Sequence, residues 1–425
     1  MMASRSNVRS SPRRILLVRL SAIGDIVFAS PLIASLRRAY PNARIAWLVQ
    51  PECASLLAHH PDLDQVIPWP LPRWRQRWRQ RQLLSLLKEV VSAIQALRAE
   101  RFDLALDLQG LLKSALPVRW SGAPERIGLG SREGGQWLMT RRLGRGPDSH
   151  WISSEYRYLA SSLGWPIDDF QLRIYPGAEA EATAAALIAE HGLEAGYAVI
   201  CPFTTRPQKH WLDARWKTLA RRMHAHFGLP TMMLGGPADV AAARSILAGS
   251  PAGSIAESTM LADRETCVRI SADDRRAGVE PVGVEPVRSA SSGDPVPLLS
   301  LVGGTSLLTA AALIKQARVL IGVDTGLSHM GIAFERPSVL LFGSTCPYTE
   351  TGSARARVLY HRRDCSPCRR RPTCAGAFSC MREIEVDEVM ITLAELLDPA
   401  NPRPRADPLA RKIQADSDQP SVSRA

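Results

Sequence analysis

The 425-residue sequence contains no run of 18 or more apolar residues, so no membrane-spanning helix is expected. No secretory leader is expected either. Arginines precede the apolar run Ile15–Val18, but that run is too short, and Arg19 and Asp25 break the stretch beyond it. Eight cysteines in a chain this long make no disulfide framework, and a reducing compartment is expected. Lysine is scarce, six against 47 arginines. A lysine kept in a polar loop therefore points to a compact point charge that a planar guanidinium does not supply. What is present, 45% apolar and 22% charged residues, excludes a mainly disordered chain. The length suggests two or three domains, each with its own core.

The net charge of +12 is local. Residues 1–14 carry +4, residues 71–81 carry +5 (Arg73, Arg75, Arg77, Arg79 and Arg81), and residues 361–371 carry +4, which leaves about −1 for the rest. Such patches attract phosphate, whether of nucleic acid, anionic lipid or a phosphorylated substrate. For residues 1–14 a solvated tail is the simpler reading.

Short apolar runs alternate with helical patterns. Strands are expected at Arg14–Leu20, Arg44–Val49 and Leu104–Leu108. Helices are expected from the Ser21–Asp25 turn through Tyr40, stopped by Pro41, and over Leu83–Ala99. The second half repeats this order. Strands are expected at Tyr197–Cys201, Thr231–Leu234, Leu298–Val302, Val319–Val323 and Ser338–Phe342. Helices are expected at Asp213–Phe227, from about Asp239, over Ser306–Ala317, from Gly326, and over Asp387–Leu397. This alternation predicts βαβ units in two doubly wound domains, with ligand in the crevice at the carboxyl ends of the strands. The expected division is a flexible basic N-terminus (1–13), domains at 14–180 and 190–398, an insertion at 249–297 that contains the near-duplicate 279–282 and 284–287, and a disordered tail at 399–425.

Three loops carry chemistry. Gly24 and Asp25 follow the first strand; Asp25 is either an N-cap or a carboxylate facing the cleft. Thr204, Thr205 and Lys209 follow a strand, and hydroxyls, backbone N–H groups and a lysine at a helix N-terminus suit phosphate. In Val323-Asp-Thr-Gly-Leu-Ser-His329 the turn exposes backbone N–H groups to an anion, and His329 projects from the first helical turn.

Arg19-Leu-Ser-Ala-Ile-Gly-Asp25, Asp107-Leu-Gln-Gly-Leu-Leu-Lys-Ser114, Thr204-Thr205 with Lys209-His210-Trp211, and Val323–His329 together resemble the heptosyltransferases of glycosyltransferase family 9. The resemblance spans about Arg14 to Leu397. It implies a GT-B fold, two Rossmann-like domains with the active site between them. It also implies inverting transfer of a heptose from ADP-heptose to a Kdo-lipid A acceptor of the lipopolysaccharide inner core, with no required metal. Asp25 would be the general base. Gly24, Thr204, Thr205, Lys209, Asp324, Thr325, Gly326, Leu327 and His329 would bind the donor, and Asp239, a weaker match, its ribose. Residues 71–81 resemble an Arg/Trp loop of the first-heptose type, so Arg73, Arg75, Arg77 and Arg79 would meet the anionic acceptor. Gln109 and Lys113, and also Arg126, would add to that side. Nucleic-acid binding is not expected. A monomer on the inner face of the cytoplasmic membrane is. A same-family enzyme with another donor or acceptor, or a same-fold sugar-nucleotide epimerase, is the alternative.

The cluster Cys365-x2-Cys368-x5-Cys374-x5-Cys380 offers four thiols for a structural zinc, with free thiols in a loop as the other reading. Cys201, ending a strand, reads as core.

Overall fold

The computed structural model describes residues 11–147, 150–248, 297–345, 348–368 and 371–398. The expected insertion and tail, and the first ten residues, lie outside them. In chain order the elements of the first half are β1 (Arg14–Val18), α1 (Ile23–Ala29), α2 (Pro31–Ala39), β2 (Arg44–Val49), α3 (Pro51–Ala54), β3 (Gln65–Pro68), α4 (Leu71–Arg79), α5 (Leu83–Ala99), β4 (Leu104–Asp107), α6 (Leu112–Trp120), β5 (Glu125–Leu129), β6 (Arg141–Leu143) and α7 (Ser154–Ser162). The second half comprises α8 (Ala178–Glu190), β7 (Ala198–Cys201), α9 (Asp213–Phe227), β8 (Thr231–Met233), α10 (Val240–Ala248), β9 (Leu298–Ser300), α11 (Leu307–Gln316), β10 (Val319–Val323), α12 (Gly326–Ala333), β11 (Ser338–Phe342), β12 (Ala356–Tyr360), α13 (Ser379–Arg382) and α14 (Val386–Leu397).

Two parallel six-stranded sheets result, ordered β3-β2-β1-β4-β5-β6 and β12-β11-β10-β7-β8-β9. Each is the doubly wound order, read from opposite edges. Strands buried on both faces must be mainly apolar, and β1, β2, β4, β7, β10 and β11 are, with Arg14, Arg44, Asp107 and Ser338 at strand ends. One face of the first sheet packs on α1, α2 and α7, the other on α5 and α6. The second sheet lies between α8, α11 and α12 on one side and α9, α10 and α14 on the other. Val27 of α1 and Leu56 join the core of the second sheet, so the two halves share apolar contact.

Helical reading of 23–40 holds, but the helix divides at Ser30: Pro31 at N1 starts α2 afresh. Residues 71–79 form a helix and not a loop. The Arg/Trp alternation hides a helical set, Leu71, Trp74 and Trp78, of which Trp74 is buried against Trp69 with ring centroids 4.9 Å apart. Helix α8 spans the gap between the two expected domains and packs on α11.

Candidate active site

In a doubly wound sheet the loops at the strands' carboxyl ends diverge where the order reverses, between β1 and β4 and between β7 and β10. The candidate residues fall on such loops: Gly24 and Asp25 after β1, Gln109 and Lys113 after β4, Thr204, Thr205 and Lys209 after β7, Asp239 after β8, and Asp324–His329 after β10.

Asp25 is the third residue of α1. Its Oδ2 accepts the Ala22 backbone N–H at 3.1 Å and pairs with the Arg19 guanidinium. The Arg19 side chain is only 7% exposed, and it donates to the Leu108 carbonyl at 2.9 Å. Burial opposes its charge, but Tyr156, Asp25 and Glu155 around it outweigh burial and raise its pKa. The β4 loop is built around Asp107. Its Oδ1 accepts the N–H groups of Gln109 and Gly110 at 3.0 and 2.9 Å, while its buried Oδ2 has no partner among the described residues. Burial raises its carboxyl pKa against those hydrogen bonds. Gly110 has φ +71, and a Cβ there would lie 2.6 Å from the Leu129 carbonyl oxygen, so only glycine fits this turn.

The second half supplies a buried polar hub. Asp324 Oδ2 accepts from Lys209 Nζ at 2.6 Å and from Thr345 Oγ1 at 2.6 Å, and its Oδ1 lies 3.2 Å from His329 Nε2. Burial disfavours this carboxylate, but the hydrogen bond and charge of His329 and the ammonium of Lys209 prevail and hold its pKa well below the usual range. Burial and Asp324 keep Tyr348 a neutral phenol, and its oxygen lies in hydrogen-bond contact with His329 Nδ1 at 2.6 Å. Thr325 is the N-cap of α12 and gives no side-chain cap, which leaves the first-turn N–H groups to another acceptor.

The two halves meet here. A Cβ on Gly24 would lie 2.8 Å from His329 Cδ2, and one on Gly326 would collide with Ile23 and lie 3.1 Å from the Gly24 nitrogen. Phe28 of α1 packs on the His329 ring at 4.4 Å and on Tyr348 at 5.5 Å. The α1 turn that carries Asp25 thus abuts the α12 turn beside Lys209.

Other candidates sit differently. Gln109 is buried, and its Oε1 accepts the Leu20 N–H at 3.2 Å, so this oxygen braces the β1 loop. Asp239 Oδ2 accepts the Gly236 N–H at 2.8 Å and closes its own short turn. His210 Nε2 donates to the Thr204 carbonyl at 2.9 Å, which braces the loop that carries Thr204 and the exposed Thr205. Arg126 donates to the Ala123 and Leu138 carbonyls. On α4, Arg73 and Arg77 share Glu89 Oε1, each at 2.7 Å, while Arg75 and Arg79 are exposed. Burial and the neighbouring thiols Cys365, Cys368 and Cys374 raise the Cys380 thiol pKa, so the four cysteines share a neighbourhood. Among the described residues no group of three or more His, Cys, Asp or Glu side chains is arranged to hold a metal ion. Cys201 is core, as expected.

Arg19 and Asp107 stood inside motifs recognised in the sequence but were assigned no role there. Thr345, Tyr348 and Phe28 carried no sequence signal.

Two parallel, doubly wound sheets with their switch-point loops in contact define the GT-B architecture. The chain belongs to glycosyltransferase family 9 (heptosyltransferase), whose sequence profile matches residues 90–265 and 278–378. It is 29% identical over 371 residues to lipopolysaccharide heptosyltransferase 1 of Pseudomonas aeruginosa, covering 84% of this chain and 86% of that one. Its fold matches the glycosyl transferase family 9 structure from Veillonella parvula (TM-score 0.65, 19% identity, 91% and 97% of the chains). It also matches E. coli heptosyltransferase WaaC with ADP-2-deoxy-2-fluoro heptose (TM-score 0.60, 22% identity, 89% and 99%).

Proposed function

We propose that this enzyme transfers a heptose from ADP-heptose, with inversion, to a Kdo-lipid A type acceptor of the lipopolysaccharide inner core, working at the inner face of an anionic membrane. The observation that carries this reading is the abutment of the Asp25 turn against the α12 turn beside Lys209 and Asp324. It sets a carboxylate opposite an anion-accepting helix start. The names of the relatives, lipopolysaccharide heptosyltransferase 1 among them, point to heptose transfer in lipopolysaccharide assembly.

In this reading Arg19 and the Ala22 N–H occupy Asp25 Oδ2, and Oδ1 takes the acceptor's hydroxyl proton. The acceptor oxygen bonds to the anomeric carbon as the bond from that carbon to the diphosphate oxygen breaks, and the electron pair leaves with ADP. The Lys209 ammonium, the hydroxyls of Thr204 and Thr205, and the N–H groups of Gly326 and Leu327 meet the charge that grows on the diphosphate. Asp324 holds Lys209 in place. Asp239 reaches the ribose, and Arg75, Arg79 and Lys113 face the acceptor's anionic groups.

Thermal shift with ADP, UDP and GDP, paired with a transfer assay, tests this reading. ADP alone is expected to stabilise the protein. Asp25→Asn is expected to keep that shift while losing about 10²–10⁴ in transfer rate, the range for removal of a general base. UDP selectivity, or full activity of Asp25→Asn, overturns it.

A further inference from the structure

Among the described residues nine large apolar side chains are exposed, and five of them fall within Trp78–Val91: Trp78, Leu83, Leu84, Leu87 and Val91, between 42% and 79% exposed. Their spacing explains why. Helix α5 turns Leu86, Val90, Ala93 and Leu97 toward the core of the first sheet. At 100° per residue, Leu83, Leu84, Leu87 and Val91 form a second apolar stripe beside that one. Packing one helix on one sheet needs a single stripe, so the second has no partner among the described residues.

The surroundings of the stripe are cationic. Between residues 71 and 91 stand Arg73, Arg75, Arg77, Arg79, Arg81 and Lys88 against one acid, Glu89. Glu89 is bound by Arg73 and Arg77, whereas Arg79, Arg81 and Lys88 have no carboxylate partner among the described residues. Beside the stripe lies an open groove of about 540 Å³ lined by Leu71, Trp74, Arg75, Trp78, Arg79 and Leu86. Among the described residues the buried Trp74 indole N–H and the Arg77 Nε–H on the same helix have no acceptor.

We infer that the α4–α5 hairpin docks on an anionic lipid bilayer. The reading rests on the proposed lipid-borne acceptor. Leu83, Leu84, Leu87, Val91 and Trp78 enter the boundary between headgroups and acyl chains. Arg79, Arg81 and Lys88 meet lipid phosphates, and one headgroup phosphate occupies the groove. A cationic surface with an apolar stripe selects this partner over another protein because each half matches one layer of the bilayer's edge.

Co-sedimentation of the full chain with phosphatidylglycerol vesicles and with phosphatidylcholine vesicles tests it. The wild type is expected to bind the anionic vesicles and to prefer them over the neutral ones. Leu84→Ser combined with Leu87→Ser, at exposed positions, is expected to leave the thermal midpoint unchanged and weaken binding by about tenfold or more. Arg79→Gln with Arg81→Gln is expected to abolish the preference for anionic lipid. Undiminished binding by the leucine variant overturns the proposal, as does a wild-type dimer in sedimentation that the leucine variant dissolves. Transfer to an acceptor stripped of acyl chains separates the two readings. The leucine variant is expected to match wild type there. A wild type that binds vesicles but transfers nothing sinks the function and not the docking surface.

Discussion

Asp324→Asn tests the hub at the centre of the site. The substitution keeps shape but removes the charge that faces Lys209 Nζ at 2.6 Å, and it turns an amide donor toward groups that already donate. Lys209 and Asp324 are each 15% exposed, so the stranded ammonium is poorly hydrated. Breaking a buried pair by removing one partner costs about 3–5 kcal/mol, and the residual exposure places this one near the lower end. At about 2–4 °C per kcal/mol the midpoint is expected to fall by roughly 6–12 °C at pH 7. The pH dependence has a definite sign. A carboxyl whose folded pKa is depressed contributes its full stability above the unfolded value of about 3.9 and loses it as pH falls toward the folded one. The gap between wild type and variant is therefore constant from pH 5 to 8 and about 1 kcal/mol narrower at pH 3. Lys209→Met supplies the control. In that background Asp324→Asn is expected to cost less than half as much, because no ammonium is left to strand. Equal costs in both backgrounds, or a wild-type midpoint for Asp324→Asn at pH 7, would refute the assignment of Asp324 as the partner that holds Lys209.

Two further perturbations probe the contact between the halves and the support of Asp25. Gly326→Ala puts a methyl against Ile23 and the Gly24 nitrogen. Overpacking of this kind costs about 1–3 kcal/mol, and transfer rate is expected to fall as the α1 and α12 turns separate. Wild-type activity in Gly326→Ala would show that the contact is dispensable. Arg19→Lys keeps the charge but cannot serve both Asp25 and the Leu108 carbonyl. It is expected to lower kcat by about 10–100-fold through misplacement of the carboxylate, with the ADP thermal shift intact. A change in donor KM with kcat preserved would place Arg19 in donor binding instead.

Much of the fold was legible because the strands at the middle of each sheet are buried on both faces. Arg44–Val49, Val319–Val323 and Ser338–Phe342 are apolar but for Arg44 and Ser338 at their first positions, and their bounds match the structure. Helices α5 and α9 also match, since each carries a full helical period between clear stops. The outer strands were missed for the converse reason. β6 is Arg-Arg-Leu, largely exposed, and β3 is half-buried; neither has to be apolar. The 71–79 segment misled because alternate arginines mimic a loop, whereas the feature that sets its structure is Trp74 meeting Trp69 across the chain.

The site divides along the same line. By itself the sequence determined which loops follow the central strands at their carboxyl ends, since a glycine turn after a buried strand is local and visible in the order of residues. It also determined the family, through motifs in both halves. Only the tertiary structure decided what those residues do to one another. It gave Gln109 Oε1 to the Leu20 N–H, placed Arg19 on Asp25, and brought His329, Tyr348 and Phe28 together from separate elements. It also left one apolar stripe of α5 without a partner among the described residues. Such pairings depend on distances between segments remote in the chain, and these arise only when two sheets close on each other.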